Sequence, residues 1–90
     1  MSTTTISNIT ITPKPKGTLP CEVDVTVTAD VANRDGQTPQ AYFPAQSMGT
    51  PMENTTGNTW SAQNMEMYDG SEKTIKITCN GVEQSQSFKP

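Results

Sequence analysis

The sequence predicts an all-β fold, a sandwich of about seven short antiparallel strands with no helix, on three observations. From Cys21 to Val31 every odd position is apolar and every even one polar, the period of a strand with one buried and one wet face. Thr74 to Cys79 repeats the pattern and runs into Asn80-Gly81, the pair that best takes the two positive φ values of a tight hairpin turn. No stretch of ten or more residues spaces its apolar side chains three and four apart, so no helix is available to cover a sheet. Strands without helices bury their faces only against one another, which leaves two packed sheets or a small barrel; the sandwich is preferred.

The elements follow in chain order. Thr4 to Thr12 carries Ile9 and Ile11 in phase, but Ile6 on the opposite parity, which predicts an edge strand with a bulge or a switch between sheets. Pro13, Pro15, Gly17 and Pro20 predict a loop, because proline removes ladder donors. The strand at 21–31 closes on the turn residues Asn33-Arg34-Asp35-Gly36. Ala41 to Phe43 is a short strand stopped by Pro44, and Gln46 to Gly57 is a loop holding at most one short edge strand. Asn58 to Met65 is a strand with Trp60 and Ala62 inward, and Asp69-Gly70 ends the connection after it. Val82 to Phe88 returns from the Asn80-Gly81 turn as the partner of 74–79. The core then draws on Ile9, Ile11, Val23, Val25, Val27, Ala29, Val31, Phe43, Trp60, Ala62, Ile75, Ile77, Val82 and Phe88.

Ninety residues predict one domain over 1–90. Only 31% are hydrophobic and 17% charged, so Thr, Ser, Asn and Gln make up the difference, and the high charge of a disordered chain is missing. A net charge of −3 lacks the basic footprint for nucleic acid. The most apolar run is broken by Asp24, Thr26, Thr28 and Asp30, which excludes a membrane helix there. With no basic segment leading into an apolar one after Met1, the expectation is a soluble product without a cleaved signal, and free thiols at Cys21 and Cys79.

Three segments, Val23-Asp24-Val25-Thr26-Val27, Asn58-Thr59-Trp60 and Lys73 to Val82, together resemble a bacterial or phage immunoglobulin-like domain. The resemblance implies a non-enzymatic module of the virion, assembled in the host cytoplasm: a capsid decoration, or an ornament on a tail or fibre. Its partner would be a capsid or tail protein. An edge strand such as Thr3 to Ile11 would dock on it, leaving the loops around Gly36 and Asn54 to Gly57 outward. In such a sandwich Cys21 begins its strand and Cys79 ends its own, so the sulfurs stand at different heights and stay unpaired.

The sequence offers little for other chemistry. The absence of histidine removes the commonest acid/base group and metal ligand. Neither cysteine has a CxxC neighbour, so no catalytic or cofactor residue is expected. Asp30, Asp35 and Asp69 are oxygen donors at loop ends, but turn formation is the preferred role and no metal site is expected. Lys14 and Lys16 are candidates for an isopeptide bond, with no buried acid identifiable to catalyse it. Trp60, Tyr42 and Tyr68 would form a stacking platform for a surface glycan only if their rings are exposed, which is the alternative functional class. Thr55, Thr56, Gly57 and Trp60 resemble part of the chagasin-type protease-inhibitor signature; a polar turn feeding a strand with a core Trp60 is the preferred account. Met48, Met52, Met65 and Met67 are expected to fill gaps in a small core.

Overall fold

The computed structural model describes residues 3–18, 20–44 and 48–89. Among them are eight strands and no helix: β1 (Thr5–Pro15), β2 (Cys21–Ala32), β3 (Gln40–Tyr42), β4 (Thr50–Pro51), β5 (Glu53–Thr56), β6 (Thr59–Tyr68), β7 (Lys73–Cys79) and β8 (Val82–Phe88). They form two antiparallel four-stranded sheets, β1-β2-β6-β5 and β4-β3-β7-β8, packed as a sandwich with principal extents of 48 × 22 × 19 Å.

The alternation read in β2 is the main wall of the core: Val23, Val25, Val27, Ala29 and Val31 are at most 1% exposed. They face Ile75, Ile77 and Cys79 of β7 together with Ala41 and Phe43. Trp60, Ala62 and Tyr68 extend that wall from β6, while Ile9, Ile11, Val82 and Phe88 pack against it only half-buried. Ile6 is buried as well, 6% exposed, and the reason is the expected bulge. The β1–β2 register slips between Ser7 and Thr10 where Asn8 adopts φ 52°, so Ile6 and Ile9 both turn inward despite their parity.

Three expectations need correction. β1 runs through Pro13 and Pro15, opposite Val25 and Val23, because an edge strand does not need the N–H groups that proline lacks. The segment 46–57 contains two short strands rather than at most one, which brings the total to eight; residues 45–47 lie outside the described residues. The strand expected to stop at Met65 continues to Tyr68, whose buried ring meets Phe88 edge-on at 5.4 Å.

Both cysteines are free, Cys79 buried and Cys21 half-buried. Cys21 lies opposite Tyr68, whose ring has Lys73 Nζ 6.0 Å from its centroid. Cys79 ends the strand that Lys73 begins, roughly six residues or about 20 Å further along at 3.3 Å each, so no bridge can span them.

Candidate interaction surface

The two ends of the sandwich differ in chemistry. At one end the connections β2–β3, β5–β6 and β7–β8 gather with the start of β1. Val31 N donates to the Asn58 carbonyl at 2.8 Å, and Arg34 Nη1 donates to Gln37 O at 2.5 Å. The Arg34 guanidinium lies over the Trp60 ring at 4.5 Å from its centroid and seals it from water. The buried Thr4 links the cluster: its hydroxyl donates to Asn33 O at 2.6 Å and accepts from Asn80 Nδ2 at 3.1 Å. Asn33, Asp35, Gly36, Gly57, Asn80 and Gly81 all have positive φ, so this end is a set of tight, hydrogen-bonded polar turns.

The other end carries large apolar side chains in water. Met65 and Met67 stand opposite Asp24 and Glu22 on the outer face, 45% and 62% exposed. Beside them Lys16 Nζ pairs with Asp24 at 3.4 Å and reaches Met65 Sδ at 3.8 Å. Of the four methionines expected to fill gaps, only Met52 does so, at 3% exposure; Met48, Met65 and Met67 are exposed. The parity of β6 carries the signal: Met65 and Met67 fall in phase with Ser61 and Gln63 on the wet side, opposite to the inward Trp60 and Ala62. Met52 is buried where the chain crosses between the sheets, its N–H donating to Pro39 O at 2.9 Å.

Between the ends, Thr26, Thr50, Pro51, Glu53, Ser61 and Gln63 border a polar groove of about 320 Å³ where β5 leaves β6. Hydroxyl, amide and carboxylate groups line it, with no aromatic ring among the lining residues.

The remaining candidates separate in space. Asp30 accepts from Asn8 Nδ2 at 2.7 Å and Thr59 Oγ1 at 3.0 Å, and these bonds hold its carboxyl below the usual aspartate value of 3.8. Asp69 is capped by the Ser71 hydroxyl and N–H, which likewise lower it, but it follows Tyr68 at the methionine end. Asp30 and Asp69 thus lie at opposite ends of β6 and cannot share an ion with Asp35. Lys14 stands opposite Asp24.

Trp60 and Tyr68 are buried, at 9% and 1% exposure, while Tyr42 keeps an exposed ring beside Lys76 Nζ at 5.1 Å; the three rings form no common platform. Burial raises the Tyr68 phenol well above the ordinary tyrosine value, and the charge of the inward Glu66 adds to the shift. Burial also pushes the Cys79 thiol up. Thr55 and Thr56 end β5 and Gly57-Asn58 turn the chain into β6, pinned by Asn54 Nδ2 to Gly57 O at 2.9 Å and Thr55 Oγ1 to Thr59 O at 3.2 Å, with Trp60 inward behind them.

No protein-family model, curated protein or solved structure matches this chain.

Proposed function

We propose that the chain is a non-enzymatic interaction module of immunoglobulin-like build that docks on a capsid or tail protein of a phage particle and holds its loops outward. The strand order supports that build: lettered along the chain with one inserted strand, β1-β2-β6-β5 and β4-β3-β7-β8 correspond to the ABED and C′CFG arrangement of immunoglobulin sandwiches. The docking half of the reading rests on the contrast between the ends. Met65 and Met67 offer adaptable apolar contact at one end, and the rigid polar turns cluster at the other, so a protein seated on the methionines leaves the turns facing solvent. The groove between them, without aromatic lining, and the buried rings of Trp60 and Tyr68 speak for protein contact over glycan stacking.

The test is sedimentation of the purified protein with phage shells and tails. Saturable uptake at a fixed stoichiometry is expected. Met65→Gln combined with Met67→Gln should abolish it while the far-UV circular dichroism and unfolding midpoint stay unchanged, because both side chains are exposed. Protein left in the supernatant, or uptake indifferent to the two substitutions, overturns the reading.

A further inference from the structure

Among the described residues, most of the long strand edges of the sandwich carry a recognisable blunting device. β1 carries Pro13, Pro15 and the bulge at Asn8. β4 is two residues long and ends in Pro51. β5 is four residues long and breaks register between Asn54 and Thr56. Where β5 leaves β6, the stretch 63–68 points the charge of Glu66 inward, and Asn64 Oδ1 accepts from Met65 N–H at 2.8 Å. β8 has none of these features: seven residues in unbroken register with β7, no proline, and no bond in the sheet except to β7.

The phase of its ladder follows from the turn. Cys79 and Val82 flank a two-residue loop in which Asn80 and Gly81 have φ 51° and 81°, the geometry whose flanking pair exchanges both backbone bonds. Alternation then commits the N–H and C=O groups of Val82, Gln84, Gln86 and Phe88 to β7. Those of Glu83, Ser85 and Ser87, with Lys89 beyond them, point away from the sheet. An antiparallel copy of the same strand matches this edge best when Gln86 meets Gln86 of the copy. Ser85 then lies opposite Ser87, and Glu83 opposite Lys89, twice by symmetry. A register shifted two residues either way keeps the bonding phase but loses both charge pairs. Glu83 remains available, its side chain 60% exposed and its intramolecular contact with Lys76 Nζ a loose 3.8 Å.

We propose that β8 pairs antiparallel with β8 of a second copy about a two-fold axis at Gln86, joining two four-stranded sheets into one of eight strands. The inference is independent of the phage reading, since it rests on the β8 edge and not on the methionine end.

Sedimentation equilibrium over a concentration series tests it. The expected result is a reversible dimer of twice the 9.7 kDa chain. Ser85→Pro should give a monomer: the N–H it removes points outward, so the β7–β8 hairpin keeps its bonds. Glu83→Lys or Lys89→Glu alone should weaken dimerisation roughly three- to tenfold by setting like charges opposite each other, and the double exchange should restore it. That rescue reads the register even if the proline variant fails to fold. A monomer up to about 1 mM overturns the proposal, since affinity weaker than millimolar is negligible. So does a dimer unaffected by the proline, or a double exchange that does not recover affinity.

Discussion

β7 and β8 are the two arms of one hairpin, seven residues each and paired residue for residue, yet they live in different solvents. Ile75 and Ile77 are fully buried, while Gln86 and Gln84 directly opposite them are exposed. The difference is position. β7 lies between β3 and β8 and faces the valines of β2, whereas β8 has a strand on one side only within its sheet and β1 of the other sheet near it. Alternation sets which way a side chain points; the number of neighbouring strands sets whether that direction is dry. The same contrast sets which backbone groups stay open, since a strand committed on both sides has no bonds left for a partner, and an edge strand has a full row of them.

The largest expected effect breaks the pair across its own ladder. Ile77→Ala should cost about 2–5 kcal/mol by chemical denaturation, the range for opening a cavity at a fully buried aliphatic position, while Gln84→Ala opposite it should stay within ~0.5 kcal/mol. Equal losses would mean that the two arms share one environment and that the edge description of β8 is wrong. A smaller loss is expected at the turn joining the arms. A Cβ at Gly81 would meet nothing within 4 Å, so Gly81→Ala pays only for φ +81°, about 1–2 kcal/mol in the unfolding free energy. No loss there would contradict the bonding phase from which the open side of β8 is deduced.

Much of this architecture is legible along the chain because its signals are local. β2 announces itself through eleven alternating residues, the hairpin through Asn80-Gly81, and the β1 bulge through the wrong parity of Ile6. What escaped has a common physical cause. β4 and β5, two and four residues long, are too short for any period and exist only through ladders to β3 and β6. Pro13 and Pro15 read as loop residues because proline is expensive in a paired strand, and only the finished sheet reveals that β1 is unpaired on their side. The candidate surfaces are less legible still. The polar end assembles Asn33, Gly57 and Asn80 from distant parts of the chain, and the exposure of Met65 and Met67 depends on what fails to cover β6. The edge favoured from sequence for docking, Thr3 to Ile11, is the one interrupted by Asn8.

The smallest effect sharpens the comparison of the two outer strands β1 and β8. β1 is tied to β2 by the Asp30 carboxylate, which accepts from Asn8 on β1 and Thr59 on β6, whereas β8 is tied to β7 by the neutral Thr74–Ser87 hydroxyl pair at 3.0 Å and the loose Lys76–Glu83 contact. These bonds favour the carboxylate, so the folded pKa lies below the ordinary 3.8. The sign follows from linkage: the stabilisation is complete above the unfolded value, and is lost as pH falls through the lower folded value. A carboxyl-carbon NMR titration should therefore place the Asp30 midpoint below 3.8, with faster amide exchange around 7–10 once the proton is bound. Asn8→Gly is the informative variant, since glycine keeps the left-handed backbone at φ 52° and deletes only the amide. Its midpoint should move up toward 3.8 with the bulge retained. A midpoint unmoved by this substitution would mean that the Asn8 amide does not hold β1 to β2, leaving Pro13, Pro15 and the bulge to separate the blunted edge from the open one.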